Sequence, residues 1–443
     1  MRQHGRVAGH QQSRRAELSR PPGSRPLPGA AAQTLPEAGA KTVLFLVADT
    51  GGGHRRAAEA VTEALMARYP GQFRPVLCDP LAGPAAARPL RWLARRYGPV
   101  VRSAPWAWGA AYYLTSSRPV MAVLWRTVFA LADRPVKRAV AASRPAVVVS
   151  CHPLTGRAAA RAAQRIPVVT LVTDLVSVHP SWRYQGSSQV AVPTAQAGTR
   201  LAAARGSVGC TVTGLPTAVG SLPGPLQAGE RARLRRRLGV AEGDFLVLLT
   251  GGAEGCGRLG RRARAILRAR DEVHVVVICG RNERLRRRLS AVRSGRGRLT
   301  VLGFVTNVGD WLRCADVVVT KAGPGIIAEA ACCATPMLLT SHLPGQERGN
   351  AEWVTQAGAG RSARGIRSML RALGELATDP GALALLRAGS RALARPAAAT
   401  QVADLIAAQA AAQPAPQAAA QSAPQAADAS WTGRCQLTSA VPR

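Results

Sequence analysis

Short apolar runs alternate with helical stretches through most of the chain. In the first half the apolar runs are 43–47, 146–151, 168–173, 189–192 and 211–213. A stretch rich in Pro and Gly follows at 214–229, and the alternation then restarts with runs at 245–249, 273–279, 299–302, 317–320 and 337–340. Continuously apolar strands that alternate with helices are typical of parallel sheets covered on both faces. The pattern therefore predicts an α/β protein built from two such units of similar size.

Changes in composition mark the ends of these units. We expect a first domain over 41–222, a second domain over 223–385 and terminal helices over 386–407. Residues 1–40, rich in Arg, Gln, Pro and Gly, and the Ala/Gln/Pro-rich residues 408–443 show no hydrophobic period. Such segments bury too little apolar surface to offset the entropy of ordering, so both are predicted to be disordered tails.

The charge balance narrows the choice of partners. The 443 residues include 59 Lys+Arg against 24 Asp+Glu, a formal charge of +35, and nearly all of the positive charge is arginine. Such a surface favours anionic partners such as lipid headgroups, phosphates or nucleic acid. The chain has no apolar run long enough for a membrane span and no signal-type apolar core, which favours a cytoplasmic protein. Its nine cysteines include no C-x-x-C pair, as expected for reduced thiols.

Segment 88–130 does not follow the alternation. It carries four of the eight tryptophans of the chain, interspersed with Tyr and Arg. Aromatic and basic residues on helical stretches suit a contact with an anionic membrane surface. The alternative is a helical insertion that packs its tryptophans into the first domain.

A glycine loop, Asp49-Thr-Gly-Gly-Gly-His54, follows the first predicted strand and opens a helix. Gly52 and Gly53 permit a sharp turn and a close approach of a ligand. Arg56 stands where a dinucleotide-binding fingerprint needs its third glycine, and no P-loop motif is present. The helix dipole disfavours a charged imidazole at His54, which is therefore predicted to be a neutral proton acceptor. The alternative is a solvated histidine at a helix start.

Further polar residues follow the next strands of the first domain. His152 comes after one apolar run, and Asp174 and His179 come after another. Because carboxyl ends of parallel strands share one edge, these side chains are expected near His54. Asp174 could orient or assist a catalytic base, and His152 or His179 could bind acceptor hydroxyls. Each could equally cap a strand or turn.

The second domain carries a stronger motif at 320–330. Gly323-Pro324-Gly325 follows a predicted strand and opens a helix whose bare N–H groups suit an anion. Glu329 lies about one turn into that helix, where a carboxylate can accept two ribose hydroxyls. The alternative is an ordinary helix start with an acid that stabilises the dipole.

Other loops of the second domain offer weaker candidates. Gly251 and Gly252 form a glycine-rich loop that could approach a phosphate or a sugar, and Lys321 and Arg281 are candidate cations for a diphosphate. The motif at 343–350 offers Gln346, Glu347 and Asn350, of which the first two suit sugar hydroxyls. No D-x-D triad occurs, so no metal site is predicted.

Taken together, these motifs resemble the monogalactosyldiacylglycerol synthase family, which includes bacterial processive diacylglycerol glucosyltransferases. The resemblance covers about 41–385 and rests chiefly on DTGGGH at 49–54, GGAEG at 251–255, GFVTNV at 303–308, TKAGPGIIAEA at 320–330 and LPGQERGN at 343–350. It implies a GT-B fold, in which two doubly wound, Rossmann-like domains face each other across a cleft and the second binds the donor. It also implies an inverting, metal-independent transfer of a hexose from a UDP-sugar to a lipid hydroxyl such as that of diacylglycerol.

The resemblance also assigns roles by position. His54 matches the family's base, Glu329 its ribose-binding acid, and Gln346 with Glu347 its donor-sugar contacts. The diphosphate loop corresponds to Gly323, Pro324, Gly325 and Ile326. The loop that reads uracil corresponds to Phe304 and Val305. No cofactor beyond the UDP-hexose substrate is implied. Segment 88–130 falls where the family binds membrane and acceptor, which implies a peripheral protein at the inner face of the cell membrane.

Rival functions remain open at this level. The acceptor could be another lipid or a small molecule, and a UDP-sugar epimerase could share the same architecture. A nucleic-acid-binding protein would also suit the charge, but the chain offers no recognition motif, so nucleic acid is not expected as a partner.

Overall fold

A computed structural model describes residues 39–48, 52–83, 86–202, 209–221, 226–292, 298–412 and 435–437. Most of the two predicted tails, 1–40 and 408–443, lies outside the described residues. So do Asp49, Thr50 and Gly51 of the first glycine loop.

The first sheet is built mainly from the first half of the chain. Its strands are β1 (Lys41–Leu46), β2 (Phe73–Cys78), β3 (Val147–Ser150), β4 (Val168–Leu171), β5 (Gln189–Val192), β6 (Cys210–Val212) and β13 (Cys435–Leu437). They lie in the order β13-β2-β1-β3-β4-β5-β6, and β2 to β6 run parallel to β1. The inner strands are rich in valine and wholly buried, as expected where helices cover both faces.

The helices of this half cover the two faces of the sheet. They are α1 (Gly53–Arg68), α2 (Arg88–Ser103), α3 (Pro105–Thr115), α4 (Arg118–Arg126), α5 (Asp133–Ser143), α6 (Pro153–Ala163) and α7 (Ala195–Ala202). Short 3₁₀ turns form at Phe129–Ala132, Pro180–Trp182 and Ala218–Ser221. Segment 88–130, which breaks the sequence alternation, folds into α2, α3 and α4 and the first of these turns.

The second sheet is parallel throughout its described strands. These are β7 (Phe245–Thr250), β8 (Val273–Ile278), β9 (Arg298–Leu302), β10 (Val317–Lys321), β11 (Met337–Ser341) and β12 (Gly360–Ser362), in the order β12-β11-β10-β7-β8-β9. Its helices are α8 (Ala228–Arg237), α9 (Leu259–Ala269), α10 (Glu283–Ser290), α11 (Val308–Cys314), α12 (Pro324–Cys332), α13 (Arg348–Gln356), α14 (Ile366–Thr378) and α15 (Pro380–Leu393). Buried apolar clusters lie on both faces of each sheet. The predicted α/β architecture is therefore confirmed.

The last helix, α16 (Ala398–Ala411), returns to the first sheet. Its Val402 and Ile406 are buried in the same cluster as Val43 and Val61 of β1 and α1. The helix runs past residue 407, where the sequence predicted a disordered tail, because alanine has the highest helix propensity. Strand β13 also lies inside that predicted tail, where it pairs antiparallel with the edge strand β2.

Candidate functional site

His54 stands on the first turn of α1, directly after the glycine loop. Gly52 caps this helix in a left-handed conformation, with φ of 80°, which favours glycine. The Nδ1 atom of His54 lies 2.9 Å from the carbonyl oxygen of Cys151, at the end of β3. It lies 2.8 Å from the hydroxyl oxygen of Thr173, which follows β4. Three neighbouring strands of the sheet thus place the ring.

These contacts decide which ring nitrogen can accept a proton. A carbonyl oxygen only accepts hydrogen bonds, so Nδ1 carries the hydrogen and donates it to Cys151. The other nitrogen, Nε2, keeps its lone pair and makes no hydrogen bond to the described residues. Burial lowers the pKa of His54 to about 4, and the Cys151 carbonyl opposes that shift. The predicted neutral proton acceptor therefore has a structural basis.

Two other predicted residues of the first domain take different roles. Asp174 does not contact His54, so orientation of the ring falls to the Cys151 carbonyl and to Thr173. The buried Asp174 carboxylate instead accepts hydrogen bonds from the indole of Trp182 at 2.8 Å and from the amide of Gln346 at 3.1 Å. Gln346 belongs to the second domain, so Asp174 joins the two halves across the cleft.

The histidines predicted to bind acceptor hydroxyls are also engaged. His152 packs edge-on against His54 with ring centroids 4.6 Å apart, and its Nδ1 accepts from the backbone of Leu154. His179 accepts from the backbone of Ser181 through Nδ1, and its Nε2 donates to the hydroxyl of Thr115. Both rings therefore have structural partners.

The glycine-rich loop after β7 faces the glycine loop of the first domain. A Cβ on Gly52 would lie 3.6 Å from the Cβ of Ala253, so the two loops almost touch. A Cβ on Gly251 would overlap with the backbone of Cys256, and Gly252 has φ of 73°. The predicted glycines are thus required by the shape of the loop.

The N-terminus of α12 is open, as the sequence predicted. Gly323 caps the helix, Pro324 begins it, and a Cβ on Gly325 would meet nothing within 4 Å. The Ile326 side chain is buried, which leaves its backbone as the part that can face an anion. Asn350 lies wholly inside the protein and donates to the carbonyl of Ala322 at 2.9 Å. It was predicted among the donor-binding residues, but in the structure it fixes the loop before Gly323.

Lys321 and Glu347 pair with each other. The ammonium of Lys321 contacts Oε1 of Glu347, and the backbone N–H of Leu343 donates to Oε2 at 2.8 Å. Glu347 is only 2% exposed. In this arrangement Lys321 is not free to contact the diphosphate, and Glu347 is not free to contact the donor sugar. Gln346 keeps one free group, since its buried Oε1 has no partner among the described residues.

Glu329 and Phe304 face the first turn of α1. The Glu329 carboxylate lies 3.7 Å from the guanidinium of Arg56. Burial raises the pKa of Glu329 to about 7, and Arg56 opposes that shift. The guanidinium groups of Arg56 and Arg281 each lie over the Phe304 ring, 5.6 and 5.5 Å from its centroid. Arg281 also pairs with Glu254 at 3.2 Å. The side chain of Val305 packs onto the core of the second domain, so only its backbone can face a base.

Sequence reasoning missed several residues that complete the cleft. The backbone carbonyl of Cys151 and the hydroxyl of Thr173 carry no pattern that marks them as partners of a histidine. On α2, Arg102 pairs with Glu254 of the second domain. Burial and the nearby acid Glu347 raise the pKa of the Tyr97 phenol, which therefore stays protonated. Segment 88–130 was predicted as a membrane surface or as a packed insertion, and these contacts show that part of it closes the cleft.

No group of three or more His, Cys, Asp or Glu side chains within the described part is arranged to hold a metal ion. None of the described helices is both long enough and apolar enough to cross a membrane.

Two different family models match the two domains of the chain. The family model for monogalactosyldiacylglycerol (MGDG) synthase matches residues 54–216, and that for the glycosyltransferase family 28 C-terminal domain matches 246–374. Monogalactosyldiacylglycerol synthase 2, chloroplastic, of Arabidopsis thaliana is 30% identical over 373 residues, which cover 81% of this chain and 78% of that protein. The chain belongs to the monogalactosyldiacylglycerol synthase family.

Other members of the monogalactosyldiacylglycerol synthase family give similar values. A probable monogalactosyldiacylglycerol synthase 2 of Oryza sativa subsp. japonica is 33% identical over 75% of this chain and 73% of that protein. A probable synthase of Glycine max is 31% identical over 76% of this chain. The chain spans only 65% of the length of the soybean protein.

Solved structures share the architecture with this member of the monogalactosyldiacylglycerol synthase family. MurG of Acinetobacter baumannii matches with a TM-score of 0.52 and 18% identity over 83% of this chain and 99% of that one. The UDP complex of Staphylococcus aureus MnaA matches with a TM-score of 0.54 and 14% identity over 82% and 94% of the two chains. At such identities the likeness concerns the fold alone, and the predicted GT-B fold is confirmed.

Proposed function

We propose that this chain is an inverting, metal-independent glycosyltransferase that moves a hexose from a UDP-sugar to a lipid hydroxyl such as that of diacylglycerol. The observation that carries the proposal is a juxtaposition. The neutral imidazole of His54 lies on the first turn of α1. Arg56 on the same turn contacts Glu329 across the cleft, and Glu329 lies about one turn beyond the N-terminus of α12. The first arrangement suits proton removal, and the second suits a nucleoside diphosphate.

The donor half of the mechanism uses the second domain. The Glu329 carboxylate accepts the ribose hydroxyls, and the backbone of Phe304 and Val305 reads the uracil. The backbone N–H groups of Gly325 and Ile326 receive the diphosphate, because Pro324 has no N–H and the Gly323 N–H donates to the carbonyl of Lys321. As the bond between the hexose and UDP breaks, negative charge grows on the β-phosphate, and the dipole of α12 stabilises it. Arg281, which is half exposed and pairs with Glu254, would have to exchange this partner for the leaving group.

The acceptor half uses the first domain. The lipid hydroxyl oxygen attacks C1 of the hexose on the side opposite UDP, and its proton passes to Nε2 of His54. The electron pair of the broken C1–O bond leaves with UDP, so the configuration at C1 is inverted. The Cys151 carbonyl holds the Nδ1–H and fixes the tautomer in which Nε2 can act.

The lipid acceptor requires a membrane contact, which we assign to segment 88–130. Large apolar side chains there are exposed: Trp92 (60%), Trp106 (74%), Leu114 (65%) and Val123 (60%). Arginines lie on the flanking helices α2 and α4, which carry Trp92 and Val123. Exposed aromatic and aliphatic groups beside arginine suit the interface of an anionic bilayer. The protein would then act as a peripheral membrane protein at the inner face of the cell membrane.

A product assay tests the proposed function. The protein is incubated with a panel of UDP-sugars and with diacylglycerol vesicles in the presence of EDTA, and the lipids are analysed by mass spectrometry and NMR. We expect one hexose to appear on diacylglycerol in β-linkage when the donor is α-linked. A released or isomerised sugar without an acceptor product would instead indicate an epimerase, and an α-linkage would contradict inversion.

A further inference from the structure

Arg56 is the one sequence feature of the first glycine motif that the proposed function leaves unused. It occupies the position where a dinucleotide-binding loop would have its third glycine. In the structure its backbone N–H closes the first turn of α1 by donating to the carbonyl of Gly52 at 3.2 Å. The side chain leaves the first domain and reaches the second, where it contacts Glu329 and Phe304.

The geometry of the Glu329 contact leaves the carboxylate available to a ligand. At 3.7 Å, the Arg56 nitrogen lies beyond hydrogen-bond distance from Oε1 but within range of strong Coulomb attraction. The carboxylate oxygens accept no hydrogen bond from the described residues. Arg56 therefore supplies charge to Glu329 without occupying the positions that ribose hydroxyls would take.

The same guanidinium of Arg56 also contacts Phe304 of the second domain. Arg56 lies over the Phe304 ring at 5.6 Å, a distance typical of a cation–π interaction. Of the two residues that Arg56 touches, Glu329 lies on helix α12 and Phe304 lies on the loop after β9. Both are assigned above to the nucleoside of the donor.

Arg56 is the cation that stabilises the charged form of Glu329. Burial favours the neutral acid, and Arg56 favours the carboxylate. The other titratable groups that interact with Glu329 are thiols on its own helix, Cys332 and Cys333, whose pKa values are raised, so they stay neutral. The charged groups of the neighbouring helix α11, Asp310 and Arg313, act on Cys333.

Arg56 and His54 move together because they share one turn of α1. Behind this turn the helix is fixed by the buried residues Ala57, Ala58 and Val61, which pack into the core of the first domain. A force that draws Arg56 toward the second domain therefore acts on the whole first domain, and it brings the imidazole of His54 toward the donor site with it.

We propose that Arg56 is a positioning residue that holds Glu329 ready for the ribose of the donor and couples donor binding on the second domain to the approach of His54 on the first. This inference rests on the proposed function, since it takes Glu329 as the ribose ligand. The chemical class of the ligand is a nucleoside diphosphate.

Calorimetry of UDP binding to the full chain tests this role. We expect Arg56→Ala to weaken UDP binding at pH 7 by about two- to fivefold, the range that a partly exposed ion pair supports. Arg56→Lys should lose less than Arg56→Ala. Arg68→Ala is the matched control, because Arg68 ends the same helix and pairs with Asp404, away from the cleft. It should leave UDP affinity unchanged.

A double-mutant cycle and the pH separate this role from simple damage to the fold. If Arg56 acts through Glu329, Arg56→Ala should cost no further affinity in a Glu329→Gln background. The single variant Arg56→Ala should also recover part of its affinity at pH 8.5, where Glu329 ionises without help. An undiminished effect in the Glu329→Gln background, or unchanged affinity in Arg56→Ala, would overturn the proposal while the proposed function stands. A wild-type protein that binds no UDP would overturn both.

Discussion

At the scale of single residues, the proposed mechanism requires one neutral histidine and one charged carboxylate. The His54 ring is desolvated, and a backbone carbonyl fixes its proton on Nδ1. Glu329 is desolvated too, but the guanidinium of Arg56 opposes the effect. Burial acts on both groups in the same sense, toward the neutral form, so only the carboxylate needs a counter-charge.

Replacement of His54 tests its role as the base. His54→Ala should lower turnover by about 10²-fold or more, because a positioned general base contributes roughly that factor. UDP affinity, measured by calorimetry, should stay near the wild-type value. Near-normal turnover in this variant would exclude His54 as the base, and a loss of UDP binding would point to a different function for α1.

The pH dependence of donor use should follow Glu329 and not His54. The pKa of Glu329 is raised to about 7, so its carboxylate is protonated as the pH falls through 7 and can no longer accept both ribose hydroxyls. The pKa of His54 is lowered to about 4, so the imidazole remains neutral throughout this range. We expect kcat/KM for the UDP-sugar to fall below about pH 7. Glu329→Gln should have a low and flat profile, and an acid limb that survives in this variant would assign it to another group.

At the scale of secondary-structure elements, glycines allow the two domains to meet closely. Gly345 has φ of 81°, and a Cβ there would overlap with the ring of Tyr112 on α3. Gly109 on α3 lies against Pro344 in a similar way. The hydroxyl of Tyr112 donates to the carbonyl of Ser177 at 3.1 Å, so α3 is fixed to the first domain as well. Helix α3 thus seats the loop that carries Gln346.

Substitution of Gly345 tests that contact. Gly345→Ala should displace α3 from the loop and cost about 1–3 kcal/mol of stability, as in other overpacked sites, with a fall in kcat for the hexose transfer. Gly239→Ala is the control, because Gly239 also has a positive φ, of 74°, but has open space around it. Thermal unfolding and turnover are measured for both. Equal effects would show that backbone strain alone, and not contact with Tyr112, matters at 345.

At the scale of the whole molecule, the formal charge of +35 and the exposed apolar side chains of α2, α3 and α4 both favour the anionic membrane surface proposed above. Arginine attracts anionic headgroups over a Debye length, and the apolar side chains insert at contact. Because α2 and α3 also touch the second domain through Arg102 and Tyr112, a membrane contact would lie next to the closed cleft.

Vesicle binding tests the membrane surface. The double substitution Trp92→Ser with Trp106→Ser should weaken binding to anionic vesicles by about tenfold or more, since each large exposed ring contributes well over 1 kcal/mol on burial. Leu385→Ser is the control, because Leu385 is 73% exposed on α15, outside segment 88–130. Sedimentation with vesicles at two salt concentrations gives the affinities. Equal losses in both variants would contradict a localised membrane surface.

Local patterns in the sequence were sufficient for the architecture and for the outline of the site. Apolar runs that alternate with helices predicted two α/β units, because burial on both faces of a parallel strand leaves a continuous signature. Glycines before Gly53 and around Pro324 predicted helix starts that face ligands, because positive φ angles and bare amides require particular residue types.

Only the tertiary structure decided which groups meet. His54 donates to the backbone carbonyl of Cys151, 97 residues away, and no sequence motif can mark this carbonyl because every residue carries one. Lys321 and Glu347 each looked available for a ligand until the fold paired them. Arg56 looked like a defect in a glycine motif until the cleft placed it beside Glu329. The sequence alone determined the elements and the conformations that they require, because these depend on near neighbours. The packing of two domains determined the charges and proton positions, because these depend on contacts between distant parts of the chain.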